Sequence, residues 1–325
     1  MKAIVITRYG GPEVLEVQDV PEPQPRPGEV LVRVEAAGVN FADLLAAKGG
    51  YPGTPPPPLV AGREFCGRRE DNGERVMGYI QAEAFAEYVA VRPEFIWPAP
   101  DKWSAEECAA FPVNFFTAYL AFWKAGLLDD VAATGGRATR PRVLIHAVAG
   151  GVGTAAVQIG KILGVETFGT SSSDEKLHEV KKLGLTHAIN YTIDDYVEKV
   201  RSLTGGEGVD AVFEMLGGEH VKKSVLCLAW LGRVITYGSA TGERPNFDPH
   251  ILYERQTSVH GLWLSKISLH PEIMGPAWRQ LSQWIAGNHL RPQVGHVLGM
   301  EKGAEAYRLL KDRRNYGKVV VRIAS

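Results

Sequence analysis

Hydrophobic and polar positions alternate along the first hundred residues. In "KAIVITRYGGPEVLEVQDV" two short apolar runs flank Gly10-Gly11-Pro12, the pattern of two strands joined by a turn. "EVLVRVEAAGV" alternates and then becomes wholly apolar, as a strand entering a core does. "ERVMGYI" and "AFAEYVAV" predict further strands. "PEPQPRPGEV" reads as a polyproline-like connector and "YPGTPPPPLVAG" as an ordered proline loop. Ser104 and Glu107 stand at capping-box spacing and predict a helix start.

From Arg142 the pattern changes. Strand "RVLIH" leads into a helix ending near Leu163, then strand "VETFGT" and helix "DEKLHEVKKLG". Strand "HAIN", helix "DDYVEKVRSLTG", strand "GVDAVFEML", helix "EHVKKSVLCLAW" and strands "GRVITYG" and "SVHGLWL" follow. Strands and helices alternating at this spacing predict an α/β fold with a doubly wound parallel sheet. After about Ser265 the mixed pattern returns, closing with helix "GAEAYRLLKDR" and strand "KVVVRI". The parallel-sheet domain, 123–264, is thus expected as an insertion between two parts of a β-rich domain, 1–122 and 265–325. "LLDDVAATGGRATRP" (127–141) reads as a surface loop ahead of the first parallel strand.

Composition narrows the class. The chain has 325 residues, 45% hydrophobic and 22% charged, with a net charge of −1, so nothing points to a nucleic-acid or acidic-membrane partner. No apolar stretch approaches the ~20 residues of a spanning helix. Cys66, Cys108 and Cys227 lie far apart, which fits a reducing cytoplasm and argues against a disulfide framework.

The stretch "RVLIHAVAGGVGTAAVQIGK" carries the first chemical signal. A dinucleotide loop needs small residues that let backbone N–H groups and a helix N-terminus reach a pyrophosphate. In the Gly-x-Gly-x-x-Gly frame the three positions are Val148, Gly150 and Gly153, so the first glycine is missing. Gly151 and Val152 complete the turn. A tight strand-to-helix corner would explain the glycines alone. The strand before, the helix after and the long series of strand–helix units favour a nucleotide.

The next strand ends in "GTSSSDEK", with Ser171 and Ser172 at its tip and Lys176 just beyond. An NAD site places a carboxylate there, on the ribose. A helix cap at Ser172 with Glu175 explains two of these residues but not Lys176, because a cation in a first turn opposes the helix dipole. A 2′-phosphate suits hydroxyls and a lysine, which favours NADPH. Asp174 is the opposing signal, since turned inward it would hold the ribose of NAD.

The sequence resembles the medium-chain dehydrogenase/reductase superfamily, and within it the zinc-independent quinone oxidoreductases. The resemblance covers essentially the whole chain. It rests on "PGEVLVRVEAAGVNFADLLAAKGGYP", "PLVAGREFCG", "FPVNFFTAYLAF", "HAVAGGVGTAAVQIGK", "THAINY" and "GKVVVRI". It implies a GroES-like β-rich catalytic domain and a Rossmann domain, associated as a homodimer through the strand "SVHGLWL". Departures are Val148, Arg63 and the length of the 127–141 loop. Alcohol dehydrogenases of the superfamily hold a catalytic zinc at positions matching Asn40, Arg63 and about Val113, none of which is a usable zinc ligand. No metal is therefore expected, and the chemistry should suit acceptors that take hydride without a Lewis acid.

The resemblance also assigns candidate residues. Asn40 would lie against the nicotinamide, unless it only closes its own turn, which Asp43 would brace. Tyr51 would stack on the substrate or donate to its oxygen, or else pack on prolines. Arg63 would pair with Glu64 or orient a polar substrate. Thr117 would sit near the nicotinamide ribose, or be only back-bonded within an apolar helix. Tyr191 would join Lys176 at the 2′-phosphate. Tyr237, Gly238 and Ser239 would line the crevice, and Gly261, Leu262 and Trp263 would flank the nicotinamide. Lys318 would touch the cofactor or simply be solvated. The expected activity is NADPH-dependent hydride transfer to a quinone or an α,β-unsaturated carbonyl. An enoyl-thioester reductase is the nearest rival. A non-catalytic nucleotide- or RNA-binding protein is the rival of another class.

Overall fold

The computed structural model describes residues 1–128 and 140–323. The two runs flanking Gly10-Gly11-Pro12 form β1 (Lys2–Ile6) and β2 (Leu15–Asp19), paired antiparallel. β3 (Val30–Val39) is buried over its last four residues and hands the chain to α1 (Phe41–Ala47). β4 (Leu59–Val60), β5 (Glu64–Arg69), β6 (Arg75–Tyr79), β7 (Tyr88–Val91) and β8 (Ile96–Pro98) follow. α2 (Ala105–Ala109) opens on the expected capping box: Ser104 Oγ accepts from Glu107 N at 3.2 Å, and Ser104 N donates back to the Glu107 carboxylate at 2.9 Å. α3 spans Pro112–Lys124.

Strand–helix units follow in turn. They are β9 (Arg142–Ile145), α4 (Gly151–Ile162), β10 (Glu166–Ser171), α5 (Asp174–Leu183), β11 (His187–Asn190), α6 (Tyr196–Leu203), β12 (Val209–Glu214) and α7 (Glu219–Cys227). Then come β13 (Leu228–Thr236), β14 (Ser258–Gly261), α8 (Leu264–Ile267) and α9 (Pro271–Ala286). β15 (Val294–Gly299), α10 (Gly303–Lys311) and β16 (Lys318–Arg322) end the chain.

The chain forms two compact units, Met1–Asn114 with Arg291–Ser325, and Phe115–Leu290. The first holds a seven-stranded sheet in the order β15-β16-β3-β5-β6-β8, with β7 also on β3, and a small sheet β2-β1-β4. Its core gathers Val32, Val34, Phe65, Phe85, Val319 and Val321. The second holds a six-stranded parallel sheet, β11-β10-β9-β12-β13-β14. Its strand order reverses beside β9, the switch point where open sheets of this kind bind ligands. Leu144, Phe168, Val212 and Val234 lie in its core. Their near-continuous apolar strands are what a sheet covered on both faces requires.

Several boundaries differ from the sequence reading. Segment 265–290 belongs with the parallel-sheet unit, because Trp278 and Trp284 of α9 pack on Phe116 and Tyr119 of α3, with ring centroids 6.4 and 5.9 Å apart. α7 stops at Cys227; Leu228 pairs with Val209, so Leu228–Trp230 open β13 instead of closing a helix. β14 ends at Gly261, and Leu264 starts α8. Residues 129–139 of the expected loop lie outside the described residues.

Candidate functional site

In the parallel-sheet unit, the chain leaves β9 and turns tightly into α4. A Cβ on Gly153 would lie 2.4 Å from the Val148 carbonyl oxygen and 2.6 Å from that of Ala147, so the helix can start this close only with glycine there. Val148, in the first glycine position, is fully buried. Its side chain packs on β10, where a Cβ on Gly169 would stand 2.7 Å from it. The glycine missing from the loop is therefore supplied by the neighbouring strand. Gly150 is the N-cap of α4 and brings no side chain to the first-turn N–H groups, as an anion-binding helix end needs.

The tip of β10 corrects one detail. The cap of α5 is Ser173, not Ser172: Ser173 Oγ accepts from Lys176 N at 3.3 Å and donates to the Glu175 carboxylate at 2.5 Å. Ser171 and Ser172 are thereby spared that role. Asp174 Oδ1 accepts from Asn190 Nδ2 at 3.0 Å, so this carboxylate is turned toward β11. Asn190 pairs with Ser171 across the ladder, which places Tyr191 beside the serine tip. Burial lowers the pKa of Lys176, in the first turn of α5.

At the far side of the switch point, Glu214 is buried at the end of β12. It accepts from Leu216 N at 2.7 Å, Gly217 N at 2.9 Å and Thr236 Oγ1 at 3.3 Å, and burial raises its pKa. This fixes the turn facing the glycine loop. Tyr237 N donates to Glu214 O, and Tyr237, Gly238 and Ser239 continue from β13. Leu262 N donates to Thr236 O, which aligns Leu262 and Trp263 with them. Thr117 is buried on α3. Directly before the glycine loop, buried His146 meets Thr170 Oγ1 at 3.0 Å through Nδ1 and Ser224 Oγ at 3.1 Å through Nε2. Burial pushes its pKa down to about 3. Tyr196 lies edge-on to its ring and reaches His220 Nδ1 at 3.0 Å.

The β-rich unit holds a second constellation. Glu64, at the start of β5, is fully buried against Lys318, the first residue of β16, in an ion pair. Asn40 lies between them: Nδ2 donates to Glu64 at 2.9 Å, and Oδ1 accepts from Lys318 Nζ at 2.6 Å. Glu64 also accepts from Val113 N at 2.8 Å. Lys318 Nζ stands 3.5 Å from Asn114 Oδ1. Lys318 is 2% exposed, which removes the solvated reading and turns its amine into the unit. Asp43 accepts from Asn40 N at 2.8 Å and so braces the turn as expected.

Arg63 pairs with Asp43, not Glu64: its Nε lies 3.3 Å from Asp43 Oδ1. Nη1 donates to Gln81 O at 2.5 Å and Nη2 to Thr54 Oγ1 at 3.0 Å. Its guanidinium carbon sits 4.1 Å from the centre of the Tyr51 ring. Burial pushes the pKa of Asp43 up to about 6, while Arg63 pulls it down. Asp43, Arg63, Thr54 and Tyr307 line a cavity of about 10 Å³, room for a single water. Two of these lining residues carry the buried side-chain polar atoms without a hydrogen-bond partner among the described residues, Arg63 Nε and Tyr307 Oη.

Asn40, Arg63 and Tyr51 are thus joined through Asp43 in one unit, which also holds Lys318; in the other, Thr117 lies on α3 and the remaining nucleotide-side candidates follow the carboxyl ends of β9, β10, β11, β13 and β14. At the three positions matching zinc ligands stand an amide, a guanidinium and an aliphatic side chain, a donor set that does not fit zinc. Glu64, Asn114 and Tyr307 were missed in the sequence. The one available signal for Glu64 was a carboxylate directly before the apolar Phe65-Cys66.

Two family models match the chain, "Alcohol dehydrogenase GroES-like domain" over residues 26–101 and "Zinc-binding dehydrogenase" over 151–286. The "Synaptic vesicle membrane protein VAT-1 homolog" of Danio rerio is 33% identical over 350 residues, covering 98% of this chain and 69% of that protein. The "Quinone oxidoreductase" of Sus scrofa is 29% identical over 336 residues, covering 99% and 97%. A solved quinone oxidoreductase from Thermus thermophilus, described also in complex with NADPH, is 37% identical with a TM-score of 0.85, covering 99% of this chain and 100% of that one.

Proposed function

The chain belongs to the medium-chain dehydrogenase/reductase family, among its quinone oxidoreductase-type members, and from that premise we propose that it reduces quinones or α,β-unsaturated carbonyls with NADPH and without a catalytic zinc. The observation that carries this is the cluster around Asn40: ion pairs and hydrogen bonds fill the region where a metal-dependent relative keeps its ligands. When bound, NADPH supplies hydride. Backbone N–H groups of Gly150, Gly151, Val152 and Gly153 hold the pyrophosphate. Ser171, Ser172, Lys176 and Tyr191 receive the 2′-phosphate, and the turning of Asp174 toward Asn190 supports NADPH over NADH.

On the nicotinamide half, Thr117, Tyr237, Gly238, Ser239, Leu262 and Trp263 bind and orient the ring. Within the β-rich unit, Glu64 and Lys318 hold the Asn40 side chain in place. Tyr51 meets the acceptor and stacks on it. A homodimer forms through β14, an edge strand that pairs only with β13 among the described residues. Cytoplasmic residence is supported by the three buried free cysteines. No helix of the described residues is long and apolar enough to cross a membrane.

NADPH and NADH oxidation against a panel of quinones, 2-alkenals and enoyl thioesters tests the reading. Turnover of quinones or alkenals with NADPH, unaffected by chelators, is expected. Turnover of enoyl thioesters alone would transfer the assignment to that rival, and no turnover of any acceptor would favour a non-catalytic nucleotide-binding protein.

A further inference from the structure

Arg63 stands apart from the rest of the β-rich unit's polar cluster. It is 3% exposed, and apart from Asp43 of α1 its partners lie in loops. Two of its contacts reach the proline loop between α1 and β4, one through the face of the Tyr51 ring and one through the Thr54 hydroxyl. These anchor points lie three residues apart and bracket Pro52 and Gly53. From the other side, Asp43 and the Gln81 carbonyl hold the guanidinium in place. Asp43 is itself fixed by the Asn40 N–H. A path of hydrogen bond, ion pair and cation–π contact thus runs from Asn40 to the tyrosine.

The chemistry needs arginine. A planar fork places separate donors on Gln81 and Thr54 while its flat face lies on an aromatic ring. Lysine would keep the charge opposite Asp43 but could satisfy neither the fork nor the stack.

We propose that Arg63 is a positioning residue that clamps the 51–54 loop, fixing the place from which Tyr51 meets the acceptor. Its guanidinium is taken up by Asp43, Gln81, Thr54 and Tyr51, so it acts on the acceptor through the tyrosine and not by orienting a polar substrate itself. This rests on the reductase reading for its effect on catalysis, but the clamp is a property of the unit whatever the reaction. The expected mark is on acceptor recognition: loosening the loop should raise the acceptor KM, leave kcat nearly unchanged and leave NADPH alone.

Two variants test it. Arg63→Lys keeps the charge beside Asp43. The double variant Arg63→Met/Asp43→Asn removes both charges together, so no buried ion is left unpaired. Hydrogen exchange at the Gly50 and Thr54 amides, which donate to Leu45 O and Tyr51 O, should quicken about tenfold in both, with β5 and β6 unchanged. With 1,4-naphthoquinone as acceptor, KM should rise about fivefold, with kcat and the NADPH KM within about twofold, roughly 1 kcal/mol at 1.4 kcal/mol per decade. In a Tyr51→Leu background, Arg63→Lys should change the KM less than about twofold. Unchanged exchange at both Gly50 and Thr54 overturns the clamp. An unchanged acceptor KM, or full multiplication of the Tyr51 and Arg63 effects, overturns its link to the acceptor. If the wild type reduces no acceptor at all, the reductase reading fails and exchange alone decides the clamp.

Discussion

The two compact units bury polar groups in opposite ways. The β-rich unit buries charges in pairs, Asp43 with Arg63 and Glu64 with Lys318, held together by Asn40. Beneath the glycine loop, the parallel-sheet unit buries His146 hydrogen-bonded to Thr170 and Ser224, with His146 neutral and the Tyr196 ring edge-on to it. Its buried carboxylate, Glu214, is answered by N–H and hydroxyl dipoles instead of a cation. An ionic cluster resists truncation of any partner, because the survivor is left charged and unsolvated. A neutral network tolerates truncation better but resists protonation. One unit is therefore most sensitive to mutation and the other to acid.

The largest effect should come from cutting the ionic cluster. Glu64→Ala leaves Lys318 buried without its carboxylate and should cost about 3–5 kcal/mol in urea unfolding. A cost below about 1 kcal/mol would remove the contrast between the units. Acid should act on the other unit next. His146 titrates near pH 3 when folded and near 6.5 when unfolded, so its stabilisation is present above about pH 6.5 and is lost on acidification. Wild type should lose about 2.5 kcal/mol from this group between pH 7 and 4.5, relative to a His146→Asn variant measured at the same two pH values.

Asp43 should oppose that trend. Its folded pKa, about 6, exceeds the ordinary aspartate value of 3.8, so the folded state takes up the proton more readily. Its contribution is most favourable below about pH 4 and declines as pH rises through 6. Between pH 7 and 4.5 wild type should gain about 2 kcal/mol relative to Asp43→Asn, the reverse sign to His146. A loss in both comparisons would collapse the distinction. The smallest effect concerns charge at the rim of the parallel-sheet unit. Lys176→Ala should raise the NADPH KM about tenfold, near 1.4 kcal/mol, while NADH kinetics barely move. Equal weakening of both cofactors would return the site to Asp174.

Much of this was readable from the chain because it is written locally. Alternation with period two, then strand–helix units at regular spacing, predicted both architectures, and the capping box at Ser104 and Glu107 was found where its spacing put it. Local ambiguity misled at Ser172 and Ser173, adjacent residues of identical chemistry. It misled again at Leu228–Trp230, where pairing with β12 overrides helical spacing. The charged cluster was out of reach for another reason. Glu64 and Lys318 are joined by β5 and β16 both flanking β3, and no local pattern couples residues that far apart in the chain. Arg63 was singled out, but the choice between Glu64 and a substrate omitted Asp43, its actual partner. Asp43 had been read only as a brace for its own turn.

Val148 and Gly169 carry a history in their contact. A side chain at either position needs the other to be small, since a Cβ on Gly169 would stand 2.7 Å from Val148. Substitutions reach such a pair in a favoured order. A lineage with a small residue at both positions can acquire valine at 148 without a clash. One that first acquires alanine at 169 has closed that route, unless the backbone yields. The two positions therefore constrain each other unequally. Reverting Val148 to glycine alone should be accepted, whereas enlarging Gly169 alone should not, and a library that varies both positions at once should recover the two as an anticorrelated pair.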